Sequence, residues 1–101
     1  MSQYKQHKVD KNQKEIVDYL ESIGASVQLL SSVGGGCVDL LVGLEGVNYC
    51  IEVKMPEGTV TPAQWKWHDK WKGQKVIVEE IGEVTDFLSA YHVPRKEFVN
   101  G

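Results

Sequence analysis

The chain has 101 residues, 42% of them hydrophobic and 25% charged, and a formal net charge of -3. That length supports one small domain over 1–101 and not two. No apolar run approaches the roughly 20 residues of a membrane span, and Met1 to Lys8 lacks the apolar core of a signal peptide, which predicts a cytoplasmic protein.

Charge is unevenly spread. Residues 1–14 hold four lysines and one aspartate, a local +3; the remainder holds seven Lys/Arg and thirteen Asp/Glu, which is -6. Lys5, Lys8, Lys11 and Lys14 recur every third residue, so a helix would gather them loosely on one side. Residues 1–11 read as a basic N-terminal arm, either simply solvated or in contact with phosphates. Asn12 can cap a helix, with Glu15 in the capping-box position three residues later. Ile16, Val17, Tyr19, Leu20 and Ile23 form its apolar stripe, and Gly24 ends it. Ala25 to Leu30 reads as a strand. Ser31 to Gly36 is a loop whose three consecutive glycines allow close backbone approach.

Cys37 to Leu44 and Val47 to Lys54 read as a hairpin, turned at Glu45-Gly46. Thr61 starts the next helix, with Pro62 at its first position and Gln64 completing a Thr-x-x-Gln capping box. That helix runs to about Lys72 and stops at Gly73. Ala63, Trp67 and Trp71 share the face expected in the core. Trp65 points elsewhere, toward a subunit interface or a DNA-facing surface if exposed. Lys66, Lys70 and Lys72 form a solvated face, with Lys66 a candidate phosphate contact. Lys75 to Glu79 is a fourth strand and Val84 to Tyr91 a third helix. The order αβββαβα predicts an α/β domain: a mixed β-sheet of about four strands flanked by helices. Cys37 and Cys50 are expected as thiols. Zinc is disfavoured, because there is no CxxC and His7, His68 and His92 are scattered.

The chemistry concentrates in the hairpin. If Glu45 and Gly46 are the turn, Leu44 faces Val47, and counting outward puts Asp39 opposite Glu52. Opposed β-carbons lie about 4.5–5.5 Å apart, where two carboxylates repel. A cation between them removes the repulsion, and oxygen ligands suit a hard divalent ion such as Mg2+ or Mn2+. Lys54, two residues after Glu52, points to the same face. A carboxylate pair, a metal and an ammonium suit phosphodiester hydrolysis. The competing view is a solvated strand face on which charges alternate.

These residues resemble the PD-(D/E)xK nucleases, and more narrowly the VRR-NUC family, whose small stand-alone members occur in phages and bacteria. Glu15, Gly34-Gly35-Gly36-Cys37-Val38-Asp39, Glu52-Val53-Lys54 and Thr61-Pro62-Ala63-Gln64 stand where that family has its motifs, over about residues 12–80. Val38 stands where the family has proline. The resemblance implies a restriction-endonuclease-like fold and a metal-dependent DNA endonuclease, with branched or junction DNA as a plausible substrate. It implies metal ligands at Asp39, Glu52, the Val53 carbonyl and Glu15, a catalytic Lys54, and a site contact from Gln64. Lys5, Lys8, Lys11, Lys14, Gly35, Gly36 and Lys66 become candidate nucleic-acid contacts. Similarly small members of the superfamily, including junction-resolving enzymes, are symmetric dimers, so a homodimer is expected. The alternative is a non-catalytic nucleic-acid-binding or assembly domain that keeps the fold. The intact Asp39, Glu52 and Lys54 argue against it.

Overall fold

A computed structural model describes residues 11–55 and 58–94. The elements run α1 (Lys11–Ser22), β1 (Ser26–Leu29), β2 (Leu40–Leu44), β3 (Val47–Val53), α2 (Pro62–Lys70), β4 (Lys75–Val78) and α3 (Ile81–Tyr91). This is the expected order. One sheet carries the strands in the order β1-β2-β3-β4. The first two pairings are antiparallel, whereas β3 and β4 are parallel. A parallel neighbour requires a crossover, which α2 supplies.

The hairpin register is the one counted from the sequence. Leu44 pairs with Val47, Leu41 with Cys50 and Leu40 with Ile51. Both turn residues take positive φ, 49° at Glu45 and 85° at Gly46. That twist suits a two-residue hairpin. The strands are shorter than expected at their outer ends: β2 begins at Leu40 rather than Cys37, and β3 ends at Val53. Asp39 and Lys54 therefore lie just beyond the paired region, where the sheet opens.

One face of the sheet is the core. Leu40, Val42, Leu44, Tyr49, Ile51, Val53 and Val78 pack with Ile16, Val17 and Leu20 of α1 and Val84 of α3. Helix α1 closes at Gly24 (φ 96°), with Gly24 N donating to Glu21 O and Ala25 N to Leu20 O. This is the glycine-terminated end that the stripe predicts. Its start differs from the expectation. Asn12 lies inside the helix, and its Nδ2 donates to Glu79 O at 2.8 Å rather than capping. Glu15 is accordingly an exposed residue of the second turn, not a capping-box partner.

Helix α2 meets the opposite face, and its orientation corrects the expectation for the tryptophans. His68 is buried and Gln64 half-buried, while Trp71 is 43% exposed and Ala63 exposed. Trp67 stacks on Trp71, ring centroids 4.8 Å apart. The inward stripe is polar because this sheet face carries Glu52, which Gln64 engages. The helix also stops early. Trp71 turns extended as its C-cap, and Lys75 Nζ donates to the carbonyls of His68 and of Trp71, the latter at 2.7 Å. A lysine at that end satisfies the orphaned carbonyls and the helix dipole. Among the described residues, no helix is long and apolar enough to cross a membrane.

Candidate active site

Glu52 is the centre of the site. It lies on β3 between Ile51 and Val53, which face the core, so its own side chain points to the face under α2. Yet Glu52 is only 3% exposed. Its Oε2 accepts a hydrogen bond from Gln64 Nε2 at 2.7 Å, and its Oε1 has no partner. Burial, together with the charge of Asp39 and a hydrogen bond between the two side chains, pushes its pKa up to about 8. The physics is that of two carboxyl groups sharing one site: the pair cannot both ionise cheaply in a low dielectric.

Asp39 is held by the opposite strand. Its Oδ2 accepts from Val53 N at 2.8 Å, and Leu30 N donates to its carbonyl at 2.8 Å. The backbone thus sets the aspartate at the end of β2, opposite Glu52, where register counting placed it. Val38 before it is fully buried, and the hairpin keeps its register without a proline there.

Gln64 bonds both Thr61 in its helix cap and Glu52 on the sheet. Its Oε1 accepts from Thr61 N at 2.8 Å and its own N–H bonds Thr61 Oγ1 at 3.1 Å, closing the capping box. Its Nε2 is left for Glu52. The glycine loop explains how α2 comes so near. A Cβ on Gly36, whose φ is +82°, would lie 2.2 Å from Ala63 O. The close approach that Gly36 permits is to the first turn of α2. Gly35, also at positive φ, has open space where its Cβ would be.

Lys54 shares the face of Glu52 but is paired elsewhere. Its Nζ lies 2.7 Å from Glu79 Oε2 and 3.3 Å from Met55 O. Glu79 went unnoticed in the sequence because no local pattern marks it. It meets Lys54 only because β3 and β4 run parallel with Val53 beside Val78. His68, read in the sequence as one of three scattered histidines, lies four residues after Gln64 and so on the same inward stripe. It is 6% exposed and its Nε2 is unpartnered; burial, then the charge of Lys75, lowers its pKa. Cys37 stands beside the carboxylates: burial first, then the charge of Glu52, raises its pKa. Both cysteines are free thiols, as expected.

The remaining candidates are dispersed. Glu15 is exposed on α1, and among the described residues no three His, Cys, Asp or Glu side chains form a metal-binding group. The structure thus brings together Asp39, Glu52 and Gln64, and does not add Glu15 to them. Lys14 pairs with Asp18 at 2.9 Å, Lys11 and Lys66 are exposed, and Lys5 and Lys8 lie outside the described residues, as does most of the arm at 1–11. Trp65 is 56% exposed.

The donor set fits a hard divalent cation. Two carboxyl groups meet at an open sheet end, and one buried oxygen has no hydrogen-bond donor. Such an atom costs free energy unless something satisfies it. Asp39 and Glu52 together would carry two negative charges when both ionise, which one divalent ion neutralises, while Glu79 is paired with Lys54.

A solved VRR-NUC domain is similar to this chain. The two are 27% identical, the alignment covers 82% of this chain and 95% of that one, and the TM-score is 0.66. No family model matches the chain, and no curated protein does.

Proposed function

Because the chain belongs with the VRR-NUC family of PD-(D/E)xK-like nuclease domains, we propose that it is a divalent-metal-dependent endonuclease that hydrolyses phosphodiester bonds in DNA, branched or junction DNA included. The observation that carries the reading is the buried Glu52 set against Asp39, with one Glu52 oxygen unpartnered. A solvated strand face would leave these carboxylates in water and would not raise the pKa of one of them.

Asp39 and Glu52 would hold Mg2+ or Mn2+, with the Val53 carbonyl and waters completing the shell. When bound, such an ion lowers the pKa of a coordinated water and neutralises charge gathering on the phosphate. Gln64 fixes the orientation of the Glu52 carboxylate through the bond to Oε2. Lys54 supplies a positive charge beside the pair, placed to stabilise the developing phosphate charge or orient the attacking water. Gly35, Lys66 and the lysines at 5, 8, 11 and 14 contact the DNA backbone in this proposal. The active species is a homodimer, which gives so small a domain a second surface for a duplex.

The test is cleavage of linear, supercoiled and four-way-junction DNA with Mg2+, Mn2+ or EDTA, beside Asp39→Ala and Lys54→Ala. Wild type should cut with metal and not with EDTA, and both variants should lose at least about a hundredfold in rate. If wild type and variants are equally inert with every substrate and metal, the non-catalytic binding module takes its place.

A further inference from the structure

We propose that Glu79 is a positioning residue for catalysis, acting through Lys54; this rests on the assignment of Lys54 to the catalytic machinery. Lys54 leaves the sheet one residue beyond β3. Its backbone is fixed there, because Lys54 N donates to Val78 O at 2.8 Å. Its side chain has only a long bond to the backbone, from Nζ to Met55 O at 3.3 Å. Four rotatable bonds let the ammonium sweep a wide volume, and holding it in one place costs rotamer entropy. Glu79 supplies the restraint, with Oε2 2.7 Å from Nζ and both side chains partly shielded from water.

Glu79 is itself braced from two sides. Its carbonyl accepts from Asn12 Nδ2 at 2.8 Å, which ties it to the first turn of α1, and its N–H bonds the Glu83 carboxylate in the first turn of α3. Both braces use Glu79's backbone, so they survive any change of its side chain. The carboxylate can therefore be removed while the local fold stays in place. Lys54 and Glu79 each follow the last parallel pair, Val53 beside Val78, which brings their side chains together. The ammonium is thereby held at the carboxylate-rich end of the sheet instead of ranging through solvent.

The experiment measures steady-state cleavage of the DNA that wild type cuts fastest, with Mg2+ or Mn2+, for Glu79→Ala, Glu79→Gln, Lys54→Ala and the double variant. Glu79→Ala should lower kcat by about tenfold or more, as expected for a misplaced catalytic group, with KM and the metal half-saturation within about twofold and the melting temperature unchanged. Glu79→Gln, which still accepts a hydrogen bond from Nζ, should recover part of the rate. In the Lys54→Ala background, Glu79→Ala should cost nothing further. A Glu79→Ala kcat equal to or above wild type overturns the inference, and so does a full additional loss in the Lys54→Ala background. Those outcomes leave the nuclease reading intact. Full activity in Lys54→Ala, or an inert wild type, instead removes the role given to Lys54 and this inference with it.

Discussion

Glu52 sits in a protein interior with one oxygen bonded to Gln64 and the other without a partner. Its pKa, raised from an ordinary 4.5 to about 8, couples stability to pH with a definite sign. Below about 4.5 the group is protonated in both the folded and unfolded chain. Between the two values the folded protein keeps a proton that the unfolded chain has released. The favourable term is therefore lost as pH rises through about 8. The metal-free protein should show a falling melting temperature from about pH 5 to about pH 8. Saturating Mg2+ or Mn2+ should flatten that fall, because the ion binds the ionised pair of the folded state alone. Differential scanning fluorimetry across pH, with and without metal, checks both limbs, and Glu52→Gln should abolish the slope.

Gln64 permits a cleaner separation at the same scale. Glutamate serves a capping box as well as glutamine, but it cannot donate to Glu52. Gln64→Glu should leave α2 intact by circular dichroism, with a stability change below about 1 kcal/mol from the cap. It should nonetheless depress cleavage by at least about tenfold, since a third carboxylate replaces the Nε2 donor. Equal activity in Gln64→Glu and wild type would show that the helix cap is its whole contribution.

Between elements, the decisive contact is the glycine loop against the first turn of α2. Gly36 combines a left-handed φ with a backbone carbonyl where its Cβ would go. Gly36→Ala should therefore destabilise by about 2–3 kcal/mol, whereas Gly35→Ala, with open space around it, bears only the φ cost of about 1–2 kcal/mol. Chemical denaturation of the two variants measures the difference. Much at this scale was legible in the chain. The Thr61-x-x-Gln64 box, the Glu45-Gly46 turn and the Gly24 helix end each depend on residues within a few positions of one another, so their stereochemistry is written locally. The inward face of α2 was not. Tryptophan spacing suggested Ala63, Trp67 and Trp71, yet Gln64 and His68 turn inward, because the sheet face that receives the helix is polar rather than apolar.

For the whole molecule, the sheet divides the labour between its two ends. Asp39 and Glu52 meet at one end of β2 and β3, and the Lys54–Glu79 ion pair lies just past the same end of β3 and β4. At the other end Tyr49, fully buried, is hydrogen-bonded to His92 just past α3, and His92 Nε2 lies 2.9 Å from Glu45 Oε1 in the hairpin turn. Phe87 packs edge-on against the Tyr49 ring, centroids 5.6 Å apart. This polar clasp ties α3 to the turn whose register opposes Asp39 to Glu52. Tyr49→Phe should cost about 1–2 kcal/mol in unfolding free energy, the price of one buried hydrogen bond. It should leave metal-dependent cleavage at wild-type rate below the melting temperature. The homodimer expectation belongs to this scale as well: light scattering should return about twice the 11.3 kDa chain mass.

The seven elements, their order and the hairpin register are readable from the chain alone, and through the register so is the opposition of Asp39 to Glu52. All of these follow from short-range rules: side-chain alternation, a two-residue turn, caps at helix ends. The depth at which Glu52 is buried, the separation of Glu15 on α1 and the pairing of Lys54 with Glu79 emerge from long-range packing. Those facts depend on α2 closing over one sheet face and on β4 aligning beside β3. The partners are far apart in the chain, and no local pattern of residues encodes how far a long-range contact will exclude water.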